Sequence, residues 1–225
     1  MTDAPSGTAI DAAVWLFDLD GTLVDTAPDL GHAANHVRAE CGLPPLPLVQ
    51  YRPAASGGAR GLLGVGLGIT PDHPDFPQHR DSFLAHYRAG LSRHSRPFPG
   101  IAELLLKLEL KGWRWGVVTN KPGWLTQPLM SDLHLGPRAA CIVSGDSTPR
   151  PKPAPDPLLL ACEQLRVTPN DCVYVGDDLR DIEAARAAGM RSVAAGWGYE
   201  GNTPLAEWKA DYVAPAVSDL HALIA

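Results

Sequence analysis

The chain has 225 residues, 45% of them hydrophobic and 20% charged, which is typical of a soluble globular protein with one large domain or a core plus an insert. Its 19 basic and 25 acidic residues give a formal net charge of −6, which argues against nucleic-acid binding and a polybasic membrane surface. No apolar run approaches the roughly 20 residues that a membrane-spanning helix needs.

The first apolar run predicts a buried strand that ends in two carboxylates. Residues 14–17 read Val-Trp-Leu-Phe, and Asp18, Asp20, Gly21 and Thr22 follow. Open α/β sheets hold their ligands at the carboxyl ends of strands. Because neighbouring carboxylates repel each other unless a cation or a proton intervenes, this pair predicts a divalent metal and a nucleophile beside an acid/base group. A strand followed by an acidic turn is the alternative.

The next stretch, from Thr26 to about Pro97, contains no convincing strand and is helical in pattern. One helical pattern runs through Leu30, Ala33, Ala34, Val37 and Cys41, and a second through Phe83, Tyr87 and Leu91. Thr26 is the expected N-cap of the first helix. We interpret residues 26–97 as a helical cap, hinged near 24–27 and 96–100, on a core made of residues 1–25 and 98–225. One continuous helical face of the core is the alternative.

A glycine-rich turn in this insert carries an arginine. Ser56, Gly57, Gly58 and Arg60 would place a flexible turn and a guanidinium over the site. Arginine pairs bidentately with carboxylates, so this segment is our candidate for substrate specificity. A glycine-rich helix start with a solvated Arg60 is the alternative.

The remainder of the chain alternates strand and helix patterns. The predicted strands are 113–118, 141–144, 173–175, 192–195 and 212–214, and the predicted helices are 101–111, 157–165 and 179–188. This alternation predicts βαβ units and a parallel sheet, which is an α/β fold. The proline-rich residues 149–157 indicate a stiff extended linker.

Polar groups follow two of these elements. Thr119 and Asn120 come directly after a strand, where a hydroxyl, an amide and backbone N–H groups can hold phosphate oxygens. Lys152 lies between prolines that could aim its ammonium group at Asp18 and at a phosphate. Ordinary turn chemistry and a solvated charge are the respective alternatives.

A second acidic strand end follows residues 173–175. Gly176, Asp177, Asp178 and Asp181 come after this strand, and carboxylates from two strand ends can complete an oxygen site for Mg²⁺. The alternative is a helix N-terminus, with Asp177 or Asp178 as the cap and Asp181 facing the helix dipole.

The four motifs, in this order, resemble the haloacid dehalogenase superfamily over nearly the whole chain. The resemblance implies a Rossmann-like parallel sheet with a helical cap inserted after the first motif. Within the superfamily, the segments 25–29, 56–60 and 116–122 resemble the phosphoglycolate phosphatase-like group. The last two, with 176–182, also resemble N-acetylmuramic acid 6-phosphate phosphatases.

The resemblance also implies catalytic and phosphate-binding roles. Asp18 would be the nucleophile that forms an aspartyl-phosphate. Asp20 would protonate the leaving alkoxide and then activate water. Thr119 and the backbone of Asn120 would bind phosphate, and Lys152 would orient Asp18 and the phosphoryl group.

The implied cofactor is Mg²⁺. Its ligands would be Asp18, the backbone carbonyl of Asp20, and Asp177, with Asp181 acting directly or through water. Asp178 occupies a position that is often serine or threonine in relatives, which leaves its role open.

The expected activity is therefore hydrolysis of a small acidic phosphate monoester, such as 2-phosphoglycolate or N-acetylmuramic acid 6-phosphate. Asp20 argues against a dehalogenase, and the absence of lysine from residues 26–100 argues against a phosphonate hydrolase that uses a cap Schiff base. A sugar-phosphate mutase would retain all four motifs, whereas a non-catalytic binding protein would be expected to have lost one.

Four cysteines without a Cys-x-x-Cys pair, and a start (Met1 to Asp11) without signal-peptide features, predict a cytoplasmic protein with reduced thiols. The expected oligomeric state is a monomer or a homodimer.

Overall fold

The computed structural model of the chain describes residues 10–199 and 203–224, so most of the segment considered for a signal peptide lies outside the described residues. The strands are β1 (Val14–Phe17), β2 (Val24–Asp25), β3 (Arg96–Pro97), β4 (Arg114–Val118), β5 (Ile142–Val143), β6 (Cys172–Gly176), β7 (Arg191–Ala195) and β8 (Tyr212–Ala214). The helices are α1 (Ala27–Glu40), α2 (Leu48–Tyr51), α3 (Gly58–Leu67), α4 (Phe76–Ala89), α5 (Ile101–Leu110), α6 (Gly123–Asp132), α7 (Asp156–Leu165), α8 (Leu179–Ala188) and α9 (Val217–Leu223).

In the described part of the chain, six strands form one parallel sheet in the order β5-β4-β1-β6-β7-β8. Counting only these strands along the chain, the order is 3-2-1-4-5-6, the doubly wound Rossmann arrangement. The chain reverses its direction of winding at β1, so the ends of β1, β4 and β6 are neighbours. The predicted α/β fold with a Rossmann-like sheet is confirmed.

The apolar runs of the strands result from burial on both faces of the sheet. All four residues of β1 are buried. Trp15 and Phe17 pack into one hydrophobic cluster and Val14 and Leu16 into another. Because successive side chains of a strand point to opposite faces, an unbroken apolar run is what a sheet covered by helices on both sides requires.

A two-stranded antiparallel ribbon, β2 with β3, brackets the helices α1 to α4. Val24 lies opposite Pro97, and Asp25 lies opposite Arg96. The stretch that we expected to lack strands therefore contains one at its end, a two-residue strand that is too short to produce a sequence pattern. The ribbon coincides with the predicted hinges, and the division into a core and a cap at residues 26–97 stays a prediction.

Two local expectations were wrong, and one helix was not predicted. Helix α6 was not predicted, because Pro128 lies inside it; burial of Leu125, Leu129 and Met130 offsets the backbone hydrogen bond that proline removes. The proline-rich segment is a turn rather than an extended linker, since the Ala154 N–H donates to the Pro151 carbonyl. Cys41 is exposed, although it continued the apolar pattern of α1.

Among the helices of the described residues, none is both long enough and apolar enough to cross a bilayer.

Candidate active site

The predicted motifs meet where three adjacent strands end. Asp18 follows β1, Thr119 follows β4 and Asp177 follows β6. A cavity of about 560 Å³ opens over this edge of the sheet. Its lining includes Asp18, Asp20, Thr119, Asn120, Lys152 and Asp181 from the sheet side and Ser56, Gly57, Gly58 and Arg60 from the helical side.

Three carboxylates form the acidic part of this site. One oxygen each of Asp18, Asp177 and Asp181 lies within 4.8 Å of the others. Asp177 is fixed by two hydrogen bonds, from the Thr22 hydroxyl to Oδ1 at 2.8 Å and from the Tyr199 N–H to Oδ2 at 3.0 Å. The strand ends thus deliver the carboxylates, and neighbouring donors set their orientation.

Burial opposes the negative charge of this group. It raises the pKa of Asp177 well above the usual value, and repulsion from Asp18 and Asp181 raises it further. Burial also raises the pKa of Asp181, to about 7, against the opposing attraction of Lys152. Without another cation the cluster therefore tends to keep protons.

Lys152 is the buried cation of the site. Its Nζ lies 2.7 Å from Asp181 Oδ1, 3.0 Å from Asp18 Oδ1 and 2.7 Å from the Tyr174 hydroxyl. Burial lowers the pKa of Lys152, but Asp18 and Asp181 outweigh this effect and the pKa is raised. The Asn120 amide fixes the backbone of Lys152, accepting from its N–H at 3.0 Å and donating to its carbonyl at 2.9 Å. The turn thus holds an ammonium ion against the predicted nucleophile, and the alternative of a solvated lysine does not apply.

The acidic cluster fits a bound cation. Asp18 Oδ1 is buried and receives no hydrogen bond from any described residue, because the Lys152 contact is an ion pair without hydrogen-bond geometry. Gly21 has φ +86°, and a Cβ there would lie 2.1 Å from Asp177 Oδ2. A residue with a side chain would therefore displace this carboxylate. The three carboxylates can hold a metal ion with oxygen ligands.

The alternative interpretation of the second acidic motif also holds. Asp178 caps α8 by accepting the Arg180 N–H at 2.9 Å, and Asp181 accepts the Asp178 N–H at 3.1 Å. Asp178 also binds the Arg180 guanidinium, whose Nη2 donates to the Ser56 carbonyl at 2.9 Å. Asp181 therefore belongs both to the helix cap and to the carboxylate cluster, whereas Asp178 links α8 to the helical segment through Arg180.

Lys121 is a site residue that the sequence analysis missed. Its Nζ lies 2.9 Å from Asp20 Oδ1 and 2.8 Å from the Tyr87 hydroxyl of α4. Asp20 Oδ1 also accepts a hydrogen bond of 2.6 Å from the Thr26 hydroxyl, so Thr26 does not use its side chain as an N-cap. One signal was present, since Lys121 is one of only five lysines and follows the Thr119-Asn120 motif directly.

Tyr199 was also missed, and no local pattern could have indicated it. Its hydroxyl accepts hydrogen bonds from the N–H groups of Thr26, at 2.6 Å, and Ala27, at 2.8 Å, and donates to Asp25 at 3.1 Å. These contacts join residues more than 170 positions apart. Tyr199 also donates its own N–H to Asp177, so it connects the acidic cluster to residues 25–27, where the first hinge is predicted.

The predicted specificity residues lie on the opposite wall of the cavity. Ser56 approaches the sheet side most closely, with its hydroxyl 3.5 Å from Asp177 Oδ2. Gly57 ends a 3₁₀ turn and Gly58, with φ +54°, begins α3. Arg60 is exposed, and its backbone lies in the first turn of α3. The structure therefore places all four residues at the cavity, and their role in specificity stays a proposal.

The chain is similar to known hydrolases along most of its length. Residues 15–195 match the family model described as haloacid dehalogenase-like hydrolase. The chain is 44% identical over 201 residues to an N-acetylmuramic acid 6-phosphate phosphatase from Pseudomonas aeruginosa, with 88% of each chain covered. It is 44% identical over 200 residues to a phosphoglycolate phosphatase from Xanthomonas campestris, covering 87% of this chain and 89% of the relative.

A solved structure has the same fold. The crystal structure of a predicted phosphoglycolate phosphatase from Haemophilus somnus is 28% identical, covers 96% of this chain and 99% of its own, and superposes with a TM-score of 0.84. The expected superfamily and the expected hydrolytic enzyme class are confirmed by these matches. The chain belongs to the family of haloacid dehalogenase-like hydrolases, and its similar relatives are phosphatases.

Proposed function

We propose that the chain is a Mg²⁺-dependent phosphatase that hydrolyses a small acidic phosphate monoester through an aspartyl-phosphate, with 2-phosphoglycolate as the first candidate substrate. The observation that carries the proposal is Asp18. It lines the cavity, stands against the ammonium group of Lys152, and belongs to a three-carboxylate cluster suited to a cation. A carboxylate in this position can attack phosphorus once its charge and that of the phosphate are balanced.

Each residue at the strand ends has a role in this reaction. Asp18 attacks the phosphorus atom, and the ester oxygen leaves with a proton from Asp20. Asp20 then takes a proton from the water that hydrolyses the aspartyl-phosphate. Lys152 balances charge on Asp18 and the phosphoryl group, and Thr119 and the backbone of Asn120 bind phosphate oxygens.

Asp18, Asp177, Asp181 and the backbone carbonyl of Asp20 would hold the Mg²⁺ ion. When bound, Mg²⁺ would reduce the repulsion between Asp18 and the phosphate and stabilise the charge that develops on the phosphoryl oxygens. Asp181 also contacts Lys152. It would bind the ion directly or through a water molecule.

The nature of the substrate is inferred from the relatives and from the cavity. The two relatives are named for phosphoglycolate and N-acetylmuramic acid 6-phosphate, and both of these esters carry a carboxylate. Four basic side chains line the cavity: Arg60, Lys121, Lys152 and Arg180. Hydrolysis of N-acetylmuramic acid 6-phosphate in cell-wall recycling is the second candidate function, since a cavity of about 560 Å³ has room for a sugar phosphate. We propose a cytoplasmic monomer or homodimer, consistent with free cysteines at 41, 141, 162 and 172.

The test is phosphate release in the presence of Mg²⁺. We would compare kcat/KM for 2-phosphoglycolate, N-acetylmuramic acid 6-phosphate and several sugar phosphates. A preference of about a hundredfold, which is about 2.7 kcal/mol of transition-state discrimination, would identify the substrate. Release from none of the esters would contradict the proposal and favour a mutase or a binding protein.

A further inference from the structure

Lys121 differs from the other basic residues of the cavity in what it binds. Its backbone is fixed, since its carbonyl accepts the Thr126 hydroxyl at 3.0 Å and the Gly145 N–H at 2.9 Å. Its side chain is 5% exposed and contacts the carboxylate of Asp20 and the hydroxyl of Tyr87. The ammonium group is therefore held between the sheet side and the helical side of the cavity, against the proposed acid/base residue.

The remaining basic residues are less suited to hold a further anionic group of the substrate. Lys152 already serves Asp18 and Asp181, and its place in the reaction is at the phosphoryl group. The Arg180 guanidinium is bound by Asp178 and the Ser56 carbonyl. Arg60 is exposed, so water competes for its charge. Among the described basic residues of the cavity, Lys121 is both buried and paired with Asp20, the carboxylate that the proposed reaction needs at the leaving oxygen.

The surroundings of Lys121 favour an exchange of partners. Apolar side chains of Leu30, Phe83, Leu84 and Leu125 also line the cavity. A buried ammonium group without a counter-ion is strongly unfavourable in such an environment. Asp20 can therefore turn away from Lys121 at low cost only when another anion takes its place.

We propose that Lys121 binds the carboxylate of the substrate in exchange for Asp20, so that a carboxylate on the substrate frees Asp20 to reach the leaving oxygen. The inference rests on the proposed phosphatase function and names the residue that makes the enzyme selective for acidic esters. A substrate without a carboxylate would leave the pair of Lys121 and Asp20 closed, and it would lose both binding and turnover. After the exchange, Asp20 keeps the Thr26 hydroxyl as a partner.

The experiment uses two pairs of esters that differ in a carboxylate. One pair is 2-phosphoglycolate with 2-hydroxyethyl phosphate, and the other is N-acetylmuramic acid 6-phosphate with N-acetylglucosamine 6-phosphate. For each pair, kcat and KM are measured with Mg²⁺ for the wild type and for Lys121→Met. The preference for the carboxylate member should fall by at least about thirtyfold in the variant, mainly through a higher KM for that member.

Three further variants complete the design. Lys121→Gln keeps a hydrogen-bond donor beside Asp20 and Tyr87, so it reports on charge even if the methionine variant folds poorly. Arg60→Gln should lower the preference much less than Lys121→Met does, because water screens the charge of the exposed guanidinium. Lys111→Met, at the end of α5, removes a lysine outside the cavity and should change neither member.

Two results would overturn the inference while leaving the phosphatase intact. The first is a Lys121 variant that keeps the wild-type preference or weakens both members equally, which would make Lys121 a support for Asp20 alone. The second is a wild type that hydrolyses esters without preferring the carboxylate members. Hydrolysis of no ester by the wild type would instead refute the proposed function, and the inference with it.

Discussion

The two sides of the cavity are built in different ways. On the sheet side, Asp18, Asp177, Asp181 and Lys152 are almost buried and each contacts at least one of the others or a fixed hydrogen-bond donor. On the helical side, the lining consists mainly of apolar residues and glycines, with Ser56, Tyr87 and the exposed Arg60 as its polar members. A substitution of one of the sheet-side groups leaves its buried partners unpaired, whereas most residues of the helical side have no such partner on the sheet side; Ser56 and Tyr87 are the exceptions. The comparison indicates that the proposed reacting groups lie on the sheet side, and we expect the helical side, together with Lys121 at its border, to govern the choice of substrate.

The partners of two lysines illustrate the difference between the two sides of the cavity. All four partners of Lys152, including the Tyr174 hydroxyl and the Val118 carbonyl, come from the sheet side. Lys121 has one partner on each side, Asp20 and Tyr87. We therefore expect Lys152 to be a fixed part of the reaction centre and Lys121 to respond to what enters the cavity.

The largest effect is expected at the nucleophile. Asp18→Asn should lower kcat by about 10⁴-fold or more, because an amide does not attack phosphorus. The fold should persist, since the change removes one charge from a repelling cluster. Phosphate release and a thermal unfolding curve measure the two quantities. Substantial residual turnover would mean that the reaction does not proceed through Asp18.

Removal of Lys152 should affect stability as well as activity. Lys152→Met leaves Asp18 and Asp181 buried without their cation, which should cost about 3–5 kcal/mol of the free energy of unfolding at pH 8 in EDTA. The loss should be smaller at pH 5, where Asp181, with its raised pKa, already holds a proton. Urea unfolding gives both values.

The matched change Lys111→Met, at the end of α5, should alter stability by less than about 0.5 kcal/mol. If Lys152→Met also lost less than about 0.5 kcal/mol, the ion pairs in the carboxylate cluster would contribute little to stability.

Mg²⁺ should stabilise the protein more at pH 8 than at pH 5. The pKa of Asp181 is raised from 3.8 to about 7, and that of Asp177 is raised well above 3.8. At pH values between 3.8 and the raised pKa values, the native metal-free protein therefore holds more protons than the unfolded chain. Its free energy of unfolding should therefore fall as pH rises through this window. Mg²⁺ at about a hundred times its Kd should add about 2.7 kcal/mol at pH 8 and much less at pH 5, where protons compete.

Thermal unfolding with and without Mg²⁺ at the two pH values tests this dependence, and Asp177→Asn is the control that should lose most of the Mg²⁺ effect. Equal stabilisation by Mg²⁺ at both pH values would show that binding of the ion does not depend on deprotonation of these carboxyl groups.

The smallest effect is expected at Tyr199, which links the carboxylate cluster to the start of α1. Tyr199→Phe leaves the N–H groups of Thr26 and Ala27 without their acceptor at the start of α1, at a cost of about 1–2 kcal/mol in the free energy of unfolding. Urea unfolding measures this loss, with Tyr212→Phe on β8 as the matched control. If both variants lose the same small amount, the Tyr199 hydroxyl is not a significant support of the helix.

The sheet could be predicted from the sequence because its strands are buried on both faces. Strand β1 was predicted at its observed bounds, and the motifs that follow β1, β4 and β6 were placed at one edge. Apolar runs that end in polar groups carry this information locally. Helix α6 was missed because Pro128 is a local signal against a helix, and tertiary burial overrides that signal.

The contacts of Lys121 and Tyr199 could not be predicted. Each joins segments that are far apart in the chain, such as Lys121 with Tyr87 and Tyr199 with Asp25, and a contact of this kind leaves no periodicity. The two-residue strands of the β2–β3 ribbon are too short to show alternation. Side-chain pairing between distant segments, rather than the elements themselves, is what the structure adds to the site.

The β2–β3 ribbon has a consequence for protein engineering. The chain leaves the sheet side and returns to it through adjacent residues, with Val24 opposite Pro97 and Asp25 opposite Arg96. Cα atoms paired across an antiparallel ribbon lie about 4.5–5.5 Å apart. Any helical module whose own ends lie that close could be grafted between these positions without lengthening a strand of the sheet. We therefore expect the ribbon to be the position at which the helical wall of the cavity can be exchanged with the least disturbance of the sheet.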